Sequence, residues 1–218
     1  MAVERFLLDK INKSLENFPC VVLIGARQVG KTTILQEIFP HANYYDLEKE
    51  SDFQIVNSDP EYFLSQAEYP LLVDEAQLMP KLFNALRVAI DQDRSSKGRF
   101  LLSGSSLPQL LRNISESLAG RVAIIEIPSL DWQEAYEYKE SNFAKSIFSL
   151  DKLKKLKPSC SKNKLKEIIL YGSYPEAFLN RNNLDFYYDW QENYIKTYIE
   201  RDIRSLFPNL NFYTNLAV

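Results

Sequence analysis

Residues 25 to 32 carry the most specific chemistry in the chain. Gly25-Ala26-Arg27-Gln28-Val29-Gly30-Lys31-Thr32 is a glycine, four intervening residues and then Gly-Lys-Thr, the pattern of a loop whose backbone N–H groups cradle a polyphosphate. Gly25 and Gly30 are expected to permit backbone angles that a side chain forbids, so that successive N–H groups converge on one anion. Lys31 is expected to neutralise the β and γ phosphates, Thr32 to offer a hydroxyl to Mg²⁺, and the helix opening there to aim its positive end at the same charge. With Thr33 included, Gly25, Ala26, Arg27, Gln28, Val29, Gly30, Lys31, Thr32 and Thr33 form the expected nucleotide-binding segment. A bare glycine turn between strand and helix is the plainer alternative. The context argues against it, since the pattern follows an apolar strand directly and opens a helix.

A second constellation completes the first. Leu71-Leu72-Val73-Asp74-Glu75 is an apolar run ending in two carboxylates. Asp74 at such a strand end suits Mg²⁺, held through water. Glu75, one residue on, is placed to take the proton of a water attacking the γ phosphorus. The pair therefore points to hydrolysis of ATP by a magnesium-dependent enzyme. Phosphoryl transfer to a small molecule is disfavoured, because an activated water wastes the nucleotide, and no Asn-Lys-x-Asp segment that reads guanine is present.

These residues need a scaffold, and the hydrophobic pattern supplies one. Cys20 to Ile24, Asn43 to Tyr45, Leu71 to Val73, Arg99 to Leu102 and Val122 to Ile127 read as short strands, with helical stretches such as Lys31 to Ile38 between most of them. Strands alternating with helices, and apolar runs without clean alternation, imply an α/β fold with a parallel sheet covered on both faces. Ahead of these, Phe6, Leu7, Ile11 and Leu15 mark a helix with one buried stripe that stops before Pro19. Residues 1–128 thus read as one P-loop core. Residues 129–218 read as a helical lid or the start of a C-terminal region: Trp132 to Phe148 looks helical, and Tyr187, Trp190, Tyr194 and Tyr198 fall three or four apart on a long helix. That aromatic stripe reads as packing rather than as a platform for bases.

Composition narrows the class further. The chain has 218 residues, 45% apolar and 13% aromatic, with 26 Lys and Arg against 29 Asp and Glu. It is rich enough to bury a core, and its near-neutral charge gives no global field for nucleic acid or anionic membrane. One basic patch stands out, with Lys152, Lys154, Lys155, Lys157, Lys162, Lys164 and Lys166 between Asp151 and Glu167. It leaves open a nucleotide-gated binding switch associated with DNA, against the plainer reading of a solvated loop. Cys20 and Cys160 have neither metal-ligand nor disulfide-framework spacing, so a reducing, cytoplasmic setting is expected. No apolar run is long enough to span a membrane, and Met1 to Glu16 lacks the character of a signal peptide.

With Gly25 to Thr33, Leu71 to Gln77 and Phe100-Leu101-Leu102-Ser103-Gly104-Ser105-Ser106 in view, the chain resembles the AAA-type ATPases of bacteria and archaea, which are usually followed by a C-terminal domain of unknown function. Ser117-Leu118-Ala119-Gly120-Arg121, Tyr171-Gly172-Ser173-Tyr174-Pro175-Glu176 and Tyr198-Ile199-Glu200-Arg201-Asp202-Ile203 extend the resemblance from about Phe6 to about Ile203. The resemblance implies a three-layer P-loop fold with sheet order 5-1-4-3-2, in which Ser103 or Ser105 faces the γ phosphate and senses it. The alternative for these serines is a polar turn capping the next helix. The resemblance also implies that Arg121 reaches into a neighbouring subunit's site of a homo-oligomer, against the alternative of a surface arginine or an internal salt bridge. Relatives continue past the position of Val218, so a further C-terminal domain is expected beyond this sequence.

Overall fold

The computed structural model describes residues 3, 5–105, 108–136 and 161–199. The chain divides into two compact units, Met1–Ser129 and Leu130–Val218.

In the first unit, α1 (Leu8–Asn17) leads into β1 (Cys20–Gly25), α2 (Lys31–Ile38), β2 (Asn43–Asp46), α3 (Glu50–Ser58), α4 (Pro60–Gln66) and β3 (Leu71–Asp74). A 3-10 turn (Ala76–Leu78), α5 (Pro80–Gln92), β4 (Phe100–Ser105), α6 (Pro108–Ser117) and β5 (Val122–Glu126) follow. The five strands are parallel in the order β2-β3-β4-β1-β5. This is the order 5-1-4-3-2 read from the other edge. β1, β3 and β4 are buried along their whole length, as strands covered on both faces must be.

Side-chain alternation divides the core into two layers of packing. Cys20, Val22, Ile24, Leu71, Val73, Phe100 and Leu102 face Val56 of α3, Leu64 of α4, Leu82, Phe83, Leu86 and Ile90 of α5, and Leu110 and Ile114 of α6. The intervening residues Val21, Leu23, Leu72 and Leu101 are equally buried and point to the other face. There α1 and α2 lie against β1, with Ile11, Leu15, Ile34 and Leu35 buried. The same parity puts Tyr44, Asp74, Ser103 and Ser105 on the α2 face, at the C-terminal end of the sheet. The topology thus delivers the candidate chemistry to one place.

Local signals set the ends of these helices. α4 begins where Asp59 accepts a hydrogen bond from the Tyr62 N–H at 3.0 Å with Pro60 in the first turn, and α5 also opens on a proline, Pro80. The first helix starts later than its apolar spacing suggests. Phe6 precedes it and is 42% exposed, while Ile11 and Leu15 supply the buried stripe.

The second unit contains α7 (Trp132–Ala135), α8 (Lys162–Tyr171), α9 (Pro175–Leu179) and α10 (Leu184–Tyr194), which continues as a π-helical turn (Ile195–Ile199). Asp131 and Glu134 form a reciprocal cap at α7, and Ser161 and Asn183 cap α8 and α10. The aromatic stripe packs internally: Tyr187 meets Tyr171 edge-on, Trp190 stacks on Tyr194 at 5.0 Å, and both contact Tyr174. Lys162, Lys164 and Lys166 lie on α8. Lys152, Lys154, Lys155, Lys157, the rest of the expected 132–148 helix and Glu200-Arg201-Asp202 lie outside the described residues. Among the described residues no helix is long and apolar enough to cross a membrane.

Candidate functional site

The loop between β1 and α2 owes its shape to three residues. Gln28 and Gly30 take left-handed backbone angles, φ 62° and 96°. Gly25 does not, which differs from the conformational role expected of it. Its requirement is spatial: a Cβ there would lie well inside the van der Waals contact distance from the Ile127 carbonyl oxygen, and 3.3 Å from Val29 Cγ2. The Ile127 N–H donates to the Ile24 carbonyl at 2.7 Å, which seals the chain leaving β5 against the loop. From the other side Arg5, 5% exposed, donates to the carbonyls of Val29 at 2.8 Å and Pro128 at 2.7 Å.

Lys31 folds back into this loop, where its Nζ donates to the carbonyl oxygens of Gly25 at 3.2 Å and Ala26 at 2.9 Å. It is 5% exposed. Burial lowers its pKa from the usual lysine value, opposed by the carboxylates of Glu75 and Asp74. An ammonium held this way keeps a positive charge at the mouth of the cradle. Arg27, within the loop, pairs with Glu48 at 3.4 Å.

Asp74, 2% exposed, is the hub of the site. Its Oδ2 accepts from the Thr32 hydroxyl at 2.5 Å and from the Tyr44 hydroxyl at 3.0 Å. Its Oδ1 accepts from the Glu75 N–H at 3.0 Å and from the fully buried Ser103 hydroxyl. A buried carboxylate requires such donors, since an unpaired one is costly to desolvate. Burial and the neighbouring Asp74 together push the Tyr44 phenol up, so it stays a donor. The Thr32 hydroxyl and the Asp74 carboxylate form an oxygen-only donor pair. That pair suits a hard divalent cation which keeps water and phosphate oxygens as its remaining ligands.

Glu75 follows with a left-handed backbone, φ 53° and ψ 41°, a conformation uncommon for residues other than glycine, asparagine and aspartate. This turns its carboxylate away from Asp74 toward the tip of β4. There Oε2 accepts from the Gln77 side-chain amide and lies 3.5 Å from the Ser105 hydroxyl. The two serines that the resemblance left undivided therefore do different things: Ser103 touches Asp74, and Ser105 touches Glu75.

Arg121 sits immediately before β5 and forms a two-pronged pair with Asp91 of α5, 2.8 Å at each contact. The same carboxylate also accepts from Arg94, and these hydrogen bonds hold Asp91 down to a pKa of about 2. Within the chain, then, Arg121 is engaged in an internal ion pair and is not grouped with Lys31, Thr32, Asp74 and Glu75.

Tyr44, Gln77 and Arg5 had no assigned role in the sequence. Tyr44 becomes visible only once β2 is paired with β3, because Tyr44 then shares a face with Asp74 two rungs away. Gln77 sits two residues past Glu75, a separation that carries no signal by itself.

Comparison with known proteins agrees with this architecture. Residues 17–136 match the family described as AAA domain, and residues 162–214 match a domain of unknown function (DUF8612). The uncharacterized proteins Rv2008c of Mycobacterium tuberculosis and Mb2031c of Mycobacterium bovis are each 31% identical over 198 residues, covering 90% of this chain and 39% of theirs. The chain therefore spans well under half the length of these curated relatives. Among solved structures, the Walker-type ATPase PABY2304 of Pyrococcus abyssi superposes with a TM-score of 0.60 at 17% identity, covering 95% of this chain and 77% of that one. That likeness concerns the fold.

Proposed function

The chain belongs to the AAA domain family, and from that premise we propose that it binds ATP with Mg²⁺ at residues 25–33 and hydrolyses it. The observation that carries this reading is the meeting of Thr32 with Asp74 at 2.5 Å beside the amino group of Lys31, at the open end of a phosphate-binding loop. On nucleotide entry Lys31 exchanges its two loop carbonyls for β and γ phosphate oxygens, a trade of dipoles for full charges. Thr32 and Asp74 would hold Mg²⁺, which when bound neutralises charge on the phosphates.

Glu75 is the base in this scheme. Its carboxylate takes the proton of the attacking water, while Ser105 at the end of β4 shares the approach to the γ phosphate. Ser103 keeps Asp74 oriented from beneath. The segment 129–218 acts as the lid or effector that responds to nucleotide state. Arg121 acts across a subunit interface in a homo-oligomer, a role that requires its pair with Asp91 to open so that the guanidinium meets phosphate instead.

Two variants test the scheme together. Lys31→Ala should abolish nucleotide binding, whereas Glu75→Gln should bind ATP as the wild type does and turn over about 100-fold or more slowly. A Glu75→Gln protein with wild-type turnover would remove the base from the scheme.

A further inference from the structure

The Gln77 side chain touches both the carboxylate of Glu75 and the backbone at the tip of β4. Its Nε2 donates to Glu75 Oε2, and its Oε1 accepts the Ser105 N–H at 3.3 Å. The orientation of the carboxamide is fixed by its partners. An ionised carboxylate only accepts and a backbone N–H only donates, so the amide can satisfy both in one sense and neither in the other.

A second, independent feature points the same way. Gly104 lies between Ser103 and Ser105 and has no left-handed backbone angle, so conformation does not call for glycine there. Space does. A Cβ on Gly104 would come within 2.5 Å of Gln77 Oε1 and 2.7 Å of Leu110 Cδ2. The glycine in Ser-Gly-Ser thus leaves a notch in β4 that receives the Gln77 carboxamide.

We propose that Gln77 is a positioning residue for hydrolysis, clamping the Glu75 carboxylate to the end of β4 so that the base and Ser105 keep a fixed separation in front of the γ phosphate. This rests on Glu75 being the base. The left-handed backbone at Glu75 aims its side chain toward β4, and the Gln77 amide then fixes the remaining side-chain torsions. Freed from it, the carboxylate regains rotamer freedom and spends less time aligned on the attacking water. Gln77 itself contacts neither nucleotide nor water in this scheme, so ATP affinity is not its business.

The test is a double-mutant cycle on the full chain, with steady-state and single-turnover ATP hydrolysis read beside equilibrium nucleotide binding. Gln77→Ala should lower kcat about 10- to 100-fold, the loss typical of a misplaced reacting group, with ATP affinity unchanged. Gln77→Glu keeps the acceptor for Ser105 but sets a second carboxylate against Glu75, and should lose turnover similarly. In a Glu75→Gln background, adding Gln77→Ala should slow the residual rate no further. Wild-type kcat in both Gln77 variants, or a loss of equal size in the Glu75→Gln background, overturns the proposal while leaving the base assignment intact. Wild-type turnover in Glu75→Gln sinks the base assignment and the proposal with it.

The notch gives a readout that does not depend on catalysis. Gly104→Ala should lower the unfolding midpoint, and by clearly less when Gln77→Ala has already emptied the space. Equal losses in the two backgrounds would contradict the fit of Gln77 into β4.

Discussion

Replacing Gly25 with alanine probes the join between the β1–α2 loop and the chain leaving β5. The new Cβ would press on the Ile127 carbonyl oxygen, a backbone atom with no rotamer to escape into, and on Val29 Cγ2 at 3.3 Å. Relief requires the chain leaving β5 to back away, which stretches the 2.7 Å bond from the Ile127 N–H to the Ile24 carbonyl. Overpacking costs about 1–3 kcal/mol, and weakening one buried backbone hydrogen bond adds about 1 kcal/mol. The sum, about 2–4 kcal/mol, corresponds to a fall in melting temperature of about 5–15 °C for a chain of this size. Gly120→Ala is the control: its site is open, with nothing within 4 Å of the added Cβ, but its φ is 74°. It should cost only the left-handed penalty, about 1–2 kcal/mol. Thermal unfolding followed by circular dichroism, with urea titrations for the free energies, measures both. The reasoning fails if Gly25→Ala is no more damaging than Gly120→Ala.

Tyr44→Phe removes one donor from Asp74 while leaving Thr32, Ser103 and the Glu75 N–H in place, and should destabilise the nucleotide-free protein by about 1–2 kcal/mol in urea denaturation; an unchanged midpoint would show that the Tyr44 bond contributes nothing. Asp91 has its folded pKa depressed from 3.8 to about 2. Its contribution to stability is therefore fully present above pH 3.8 and lost as pH falls through about 2. In Arg121→Ala the Asp91 resonance, followed by NMR, should titrate closer to 3.8, though still below it because Arg94 remains. If Arg121 also acts across an interface, Arg121→Ala should bind ATP normally and hydrolyse it slowly, and wild-type specific activity should rise with protein concentration. Concentration-independent activity in a monomer would exclude that role.

How much of this was readable beforehand depends on the range of the interaction. β1, β3 and α2 were legible, because a run such as Cys-Val-Val-Leu-Ile ending on Gly25 leaves a buried strand as its natural state. The end of β4 was not. The apolar run stops at Leu102, yet the strand continues through Ser103, Gly104 and Ser105 in register with Leu23, Ile24 and Gly25. Polar residues normally announce a loop, and here they persist in a buried strand because Asp74 and Gln77 satisfy them. The grouping of Lys31 and Thr32 with Asp74 followed from the loop pattern together with an apolar run that ends in two carboxylates. The contacts of Tyr44, Arg5 and Gln77 did not, since each depends on strand pairing or a turn that brings distant residues together. Arg121 shows the converse limit. Its position before β5 suits two roles, and only the structure reveals Asp91, thirty residues earlier, as its partner within the chain.

Calorimetric titration of ATP with Mg²⁺ into the folded wild-type chain and into Lys31→Ala bears most directly on the whole account. Saturable, one-to-one heat from the wild type, absent from a Lys31→Ala protein that melts normally, is the result expected from the proposed function. Equal binding by both proteins, or none by either, would contradict it.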